Sequence, residues 1–265
     1  MNIKSVLCEL PSWPRYLYWI EDWDKYLLDR LGVLNNHAEI THTLRNGIKL
    51  KVRASTSDAC VIAHIVVKNF YMLSKNEIKN AETVVDLGAH IGLFSLWTAS
   101  RSKKAAIFSF EPEPSNYNLL EYNIETNKLQ LRIKPYRLAL SGKNGELELF
   151  KSSESVGHSL NFKRGDSIKI QSITLEDIFH DYNISKIDIL KVDIEGAEYS
   201  LLKCLDESLF SRIGIICMEC HDVNSENNID SMQKFLKDKG FIVKRNKEQI
   251  KAINKLIVTK KVLKP

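Results

Sequence analysis

The spacing of apolar residues changes near residue 80, and that change divides the chain. In the first part, Tyr16, Ile20, Trp23, Leu27 and Leu31 recur three or four apart, which predicts a helix from Trp13 to Leu34. Thr41–Leu44 and the alternating Ile48, Leu50 and Val52 flank Asn46-Gly47, a strong hairpin signal. Ser57 or Asp58 then caps a helix running to about Leu73. Residues 1–80 are therefore expected to form a helical and hairpin cap on the unit that follows, residues 81–265.

Beyond residue 80, short apolar runs alternate with helical stretches. Strands are predicted at Thr83–Leu87, Ala106–Phe110, Arg132–Leu140, Asp188–Val192, Ile213–Met218, Phe241–Arg245 and Lys255–Thr259. Helices fall at Leu93–Ser100, Ser115–Asn127, Leu175–His180, Ala197–Leu205 and Ile229–Lys239. This alternation predicts an α/β fold, a mostly parallel seven-stranded sheet with helices on both faces. The last two strands are close enough in sequence to pair antiparallel. Glu146–Phe150 and Ile168–Ile173 interrupt the alternation and read as a hairpin insertion.

Composition narrows the class. Of 265 residues, 44% are hydrophobic and 27% charged, which excludes a wholly disordered chain. No run reaches the roughly 18 apolar residues of a membrane span. Val6-Leu7-Cys8 before Glu9 is too short for the apolar core of a secretory signal. Five cysteines without regular spacing do not suggest a disulfide framework, so the cytoplasm is the expected location. Cys217-x-x-Cys220 lies on a predicted strand rather than at a helix start, and reads as two buried apolar residues, not a redox pair. Net charge is +5, but Lys234–Pro265 carries eleven Lys or Arg against Asp238 and Glu248. Such a segment could meet phosphates or acidic headgroups; a solvated pair of surface strands is the simpler reading.

Candidate chemistry gathers at the ends of strands. Val84-Val85-Asp86-Leu87-Gly88-Ala89-His90-Ile91-Gly92 is a strand ending in an acid, a glycine loop and a helix start. His90 stands where a dinucleotide fingerprint needs glycine, and Asp86 would repel a pyrophosphate. A cationic nucleoside without phosphate, S-adenosylmethionine, suits the loop better. Glu111 ends the next strand, 23 residues beyond Gly88, where an acid accepts hydrogen bonds from ribose hydroxyls. Asp193 and Glu195 follow the strand Asp188–Val192, and Glu219 and His221 end the one after. Ligands in open α/β sheets bind at these carboxyl ends. The same acids could instead cap the following helix, which is the simpler role for Glu198. A neutral His221 could take a hydroxyl proton, join carboxylates around a metal, or be an ordinary loop histidine. His37, His42, His64, His158 and His180 show no metal-ligand spacing with the cysteines.

The blocks VVDLGAHIGLFS, FEPEPSNYNLLEYNIETN, LALSGKNGELELF, ITLEDIF and ILKVDIEGAEYSLLK together resemble the FkbM-type methyltransferase family, over roughly Leu50 to Thr259. The resemblance implies a Rossmann-like class I methyltransferase fold and S-adenosyl-L-methionine as cofactor. It would place Asp86, Gly88 and Gly92 at the methionine end, Glu111 at the ribose, and Ala139 with Leu140 at the adenine. Ala89, Pro112 and Asp193 complete the expected cofactor set. Many methyltransferases hold the adenine amino group with an acid near the end of the third strand. Here Leu138-Ala139-Leu140-Ser141 has none, so backbone groups or Ser141 would serve.

The expected activity is O-methylation of a sugar hydroxyl, on a nucleotide sugar or a surface glycan, with a small natural product as the alternative acceptor. His221 is the expected base, assisted by Asp193 or Glu195. No metal is predicted; were one bound, Asp193, Glu219 and His221 would hold it. A nucleic-acid methyltransferase is disfavoured because Asp193-Ile194-Glu195-Gly196 is acidic where such enzymes carry N-P-P-Y. A nicotinamide oxidoreductase is opposed by Asp86 and His90, so neither a nucleic-acid nor a membrane-spanning role is expected.

Overall fold

The computed structural model describes residues 13–35, 38–150 and 166–256. At its centre is a seven-stranded sheet built from β3 (Thr83–Leu87), β4 (Ala106–Phe110), β5 (Ile133–Tyr136), β9 (Ile187–Val192), β10 (Ile213–Glu219), β11 (Phe241–Asn246) and β12 (Gln249–Asn254). The spatial order is β11-β12-β10-β9-β3-β4-β5. Pairings from β10 to β5 are parallel, while β12 is antiparallel to both β10 and β11. This is the Rossmann-like class I methyltransferase fold. The chain moves outward from β3 through β4 to β5, then returns to place β9 on the other side of β3. The order of strands therefore reverses between β3 and β9, the place where open α/β sheets bind ligands.

Alternation along each strand fills both faces. Val84, Ile107 and Ile189 join one buried cluster, and Val85, Leu87 and Leu190 the other. The first cluster continues into the cap, with Tyr16, Ile20, Leu50 and Ile62 in the same core. The cap is also tied to α6 (Pro114–Thr126). There Asn123 bonds both backbone groups of Lys51, accepting from N at 2.7 Å and donating to O at 3.0 Å. Glu113 caps α6 by accepting from Asn116 N at 2.8 Å, with Pro114 in the first turn where its missing N–H is harmless.

Several expected elements differ. The helix expected over Trp13–Leu34 is two, α1 (Trp13–Trp19) and α2 (Trp23–Arg30). The break falls where Ile20 bridges Leu44 and Asp22 accepts from Thr43 N at 2.9 Å, so pairing with the hairpin β1 (Glu39–Thr43) and β2 (Lys49–Arg53) overrides helical periodicity. The helix expected to reach Leu73 runs as a 3₁₀ turn Ser57–Ala59, α3 (Cys60–Ile62) and a π turn Ala63–Val67. It stops because Asn69 and Met72 adopt left-handed backbone. A helix not anticipated, α4 (Lys75–Asn80), is capped by Ser74 and Glu77 in a reciprocal box.

The expected strand Arg132–Leu140 divides. Pro135 lies on β5, the sheet's edge, where a missing N–H is tolerated. Then β6 (Ala139–Leu140) joins β7 (Gly145–Phe150) and β8 (Ser167–Ile173) in a separate three-stranded sheet, in which β7 and β8 form the anticipated antiparallel pair. Of the expected strand Lys255–Thr259, Lys255 and Leu256 are not in a strand and the remaining residues lie outside the described ones; among the described residues the last strand is β12. Its polar residues hide a strand buried on both sides. Lys251, far from solvated, is 6% exposed and bonds Glu77 at 2.6 Å and the carbonyl of Met72 at 3.0 Å.

Candidate active site

The glycine loop after β3 meets the loop after β9 at the switch point. A Cβ on Gly88 would lie 1.8 Å from the carbonyl oxygen of Asp193, so only glycine lets the two loops pass. Gly88 N and Ala89 N both donate to Phe110 O at 2.9 Å, and His90 N donates to Glu111 Oε2 at 2.8 Å. Glu113 N donates to the other oxygen of Glu111 at 3.0 Å. Glu111 is 6% exposed, and burial raises its pKa against the charge of His90 and these N–H donors.

Above this loop lies a cavity of about 290 Å³. Gly88, Ala89, Glu111, Pro112, Ala139 and Leu140 line it, together with Asp193, Glu195, Glu219 and His221. Two expected residues lie outside the lining. Asp86 is fully buried, accepting from Ser95 Oγ at 2.7 Å and paired with Lys191 Nζ at 3.2 Å. Gly92 begins α5 (Leu93–Arg101) with φ +90°, its missing Cβ matched to Leu120 of α6. The acid of the motif thus neutralises a buried lysine beneath the loop, and the second glycine serves helix packing.

Lys191 is the charge that Asp86 answers. It lies on β9 between the buried Leu190 and Val192, donating to Gly88 O at 2.5 Å and Leu87 O at 3.2 Å, with Asp193 Oδ2 at 3.8 Å. Burial alone would lower its pKa, but Asp86 and Asp193 raise it instead. A lysine inside a buried parallel strand was the sequence signal for this network. Tyr71, 6% exposed, has no comparable signal. It reaches in from the cap and donates its hydroxyl to Asp193 Oδ2 at 2.7 Å. The cap also holds His90, whose Nε2 is 3.2 Å from Asp58 Oδ1, and Asp58 receives the fork of Arg53 at 2.8 and 2.9 Å. Burial would raise the Asp58 pKa, but His90 and Arg53 hold it well below the usual carboxylate range.

His221 stands between two carboxylates. Its Nδ1 is 2.9 Å from Glu198 Oε1 and its Nε2 is 3.2 Å from Glu195 Oε2. Glu198, at the start of α8 (Glu198–Lys203), is fully buried, and the same oxygen accepts from Ile194 N and Gly196 N. It therefore does more than cap its helix. Burial would lower the His221 pKa, but the bond and charge of Glu198, then Glu195 and Asp193, push it up to about 10. Burial and the neighbouring carboxylates push Glu195 up to about 7 and Glu219 to about 8. The neutral His221 expected from sequence is thus replaced by an imidazole engaged at both nitrogens. Asp193, Glu219 and His221 also bring one ligand atom each to within 4.8 Å of one another. Cys217 and Cys220 are free and buried, and burial pushes both thiols up, away from thiolate reactivity.

Residues 86–243 match the family described as the methyltransferase FkbM domain. The chain belongs to the FkbM methyltransferase family. Its relatives include methyltransferase sdnD of Sordaria araneosa, 28% identical over 63% of this chain and 76% of the relative. Hexuronic acid methyltransferase AglP of Haloferax volcanii is 24% identical over 65% and 70%. The 31-O-demethyl-FK506 methyltransferase FkbM of Streptomyces tacrolimicus is 23% identical over 79% and 88%. Among solved structures, a precorrin-6y C5,15-methyltransferase from Geobacter metallireducens aligns over 71% of this chain and 85% of its own, at 11% identity and a TM-score of 0.43.

The match spans both loops of the site, from Asp86 at the end of β3 to beyond His221. In this FkbM methyltransferase, family membership implies S-adenosylmethionine as the methyl donor. Among the described residues no helix is long and apolar enough to cross a membrane.

Proposed function

We propose that this methyltransferase transfers the methyl group of S-adenosylmethionine to a hydroxyl oxygen of a sugar, on a nucleotide sugar or a surface glycan. The observation that carries the reading is one cavity lined both by Glu111 beside the glycine loop and by Asp193, Glu195, Glu219 and His221 at the mouths of β9 and β10. The fit to the cofactor is chemical. Glu111 offers a fixed carboxylate to ribose hydroxyls, and Ala139 and Leu140 an apolar wall to the adenine.

The bound cofactor would supply an electrophilic methyl on a good leaving group. The chain must align the acceptor oxygen and take its proton, since an alcohol is a poor nucleophile while it keeps that proton. Glu195 is placed for the proton, facing the cavity with its carboxylate against His221 Nε2. His221 orients it, in turn fixed by Glu198. Tyr71 positions Asp193 from the cap side.

Sugar as the acceptor class draws on AglP, whose name records a hexuronic acid substrate. A small natural product is the second reading, favoured by Val61, Ile65 and Phe70, which give the cap side of the cavity an apolar wall. An assay of labelled methyl transfer to nucleotide sugars, glycans, small hydroxylated natural products and nucleic acid decides. Label recovered as a sugar methyl ether supports the first reading. Label found only in the natural products replaces the acceptor, and label only on nucleic acid or nitrogen overturns O-methylation.

A further inference from the structure

We propose that Asp193, Glu219 and His221 form a divalent-cation site, with Glu198 as the outer carboxylate that fixes the histidine. The three ligand residues come from neighbouring parallel strands: Asp193 directly follows β9, Glu219 ends β10, and His221 lies two residues beyond. Strands about 4.8 Å apart bring their carboxyl ends close enough to share one ion, and the ligand atoms lie within 4.8 Å of one another.

The surroundings of the histidine suit a ligand. Glu198 Oε1 is fixed by the N–H groups of Ile194 and Gly196 and holds Nδ1 at 2.9 Å, while Nε2 lies 3.2 Å from Glu195 Oε2, a contact that an ion would replace. Nε2 is then directed towards the carboxylates in the cavity. Ligating histidines almost always donate their other N–H to a carboxylate, carbonyl or water in this way.

Carboxylates crowd the same wall of the cavity. Asp193, Glu195 and Glu219 face the cavity together. The nearest lysine, Lys191, is already engaged by Asp86 and by the carbonyls of Leu87 and Gly88. Tyr71 and Lys191 both approach Asp193 at Oδ2, which leaves Oδ1 for a ligand. Two carboxylates and one imidazole suit Mn²⁺ or Mg²⁺ better than a thiophilic metal. Three protein ligands leave positions open to the cavity. The cation's role in catalysis rests on the proposed function: those positions would receive the acceptor hydroxyl and lower its pKa. An acceptor with a second oxygen beside the reacting one, as in a sugar diol, would fill two of them.

The test reads metal binding apart from turnover. Protein freed of metal with EDTA is titrated with Mn²⁺, and free Mn²⁺ is followed by electron paramagnetic resonance. One site per chain is expected. Asp193→Asn, Glu219→Gln and His221→Asn should each lose it, and Glu198→Gln should weaken it about 10–100-fold. A cooperative thermal melt and an unchanged far-ultraviolet circular dichroism spectrum verify that each variant is folded. His42→Asn, at a buried histidine far along the chain, should bind Mn²⁺ like the wild type. Absence of a site in the wild type, or undiminished binding in the ligand variants, overturns the proposal. Methyl transfer to a hydroxyl that survives EDTA, in a protein that binds no Mn²⁺, would do so while leaving the proposed function standing. Mn²⁺ binding without any hydroxyl methylation would do the reverse.

Discussion

Two histidines in this chain are each held between two carboxylates, one in the cap and one at the cavity. His42 on β1 has Nε2 at 2.9 Å from Asp29 and Nδ1 at 3.5 Å from Asp22, and its side chain is fully buried. His221 has Glu198 and Glu195 at 2.9 and 3.2 Å, and its side chain is 23% exposed. Both have raised pKa values, and in both the bonded carboxylates overcome burial. At His42 each carboxylate has further work in the fold, Asp29 accepting from Ser55 N at 2.5 Å and Asp22 from Thr43 N at 2.9 Å. At His221 two more carboxylates, Asp193 and Glu219, stand beside the same cavity. The same pairing thus ties a cap together in one place and gathers reactive groups in the other. What separates them is access to the cavity and the two further carboxylates there, not the histidine.

Exchanging the two losses gives the largest contrast. His221→Asn should lower turnover by about 10²-fold or more, because the base loses its orienting partner, with a smaller fall in melting temperature than His42→Asn, since the N–H groups of Ile194 and Gly196 still bind Glu198. His42→Asn should do the opposite. It strands the fully buried Asp29 carboxylate at a cost of about 3–5 kcal/mol, while turnover per folded molecule is kept. Thermal melts and single-turnover rates on the same samples check both. Equal effects of the two changes on either quantity would erase the distinction.

Tyr71→Phe sharpens the comparison by removing one hydroxyl where cap and site meet. A hydrogen bond to a charged group contributes about 1.5–3 kcal/mol, so turnover should fall about 10-fold or more. Affinity for S-adenosylhomocysteine should change much less. A variant that lost affinity and turnover together would place Tyr71 on the cofactor rather than on Asp193.

The smallest effect is in pH. The folded chain holds the His42 proton more tightly than the unfolded chain, whose histidines titrate near 6.5. That stabilisation is complete below pH 6.5 and is lost as pH rises through the raised native value. The melting temperature should therefore fall from pH 6 to pH 9 by more in the wild type than in His42→Asn. Equal falls would remove His42 as the cause.

The two regions were also unequally legible in the sequence. The alternation of apolar runs after residue 80 carried β3, β4, β9 and β10, because strands buried on both faces are rich in apolar residues even where Asp86, Ser109 or Lys191 interrupts them. Strand β12 was missed for the opposite reason: Lys251 and Asn254 are polar yet buried, satisfied by Glu77 and by backbone carbonyls of Phe210 and Ile213 that only the fold brings near. Glu111, Asp193, Glu195, Glu219 and His221 were legible from their places at strand ends. Asp86 was visible as a motif acid, but its partner Lys191 was not sought, so its charge was assigned to the cavity rather than to the floor beneath it. Tyr71 and Asp58 are separated from the groups they hold by 122 and 32 positions in the chain, a distance no local pattern spans.

The central claim is that the cavity takes an S-adenosyl nucleoside with its ribose on Glu111. Calorimetric titration with S-adenosylhomocysteine tests it without any knowledge of the acceptor. Binding of one molecule per chain is predicted, with affinity reduced by about 1.5–3 kcal/mol in Glu111→Ala, the value of a hydrogen bond to a charged group. NAD should give no heat of binding. A wild-type protein that bound no S-adenosylhomocysteine, or a Glu111→Ala variant that bound it equally well, would contradict the account.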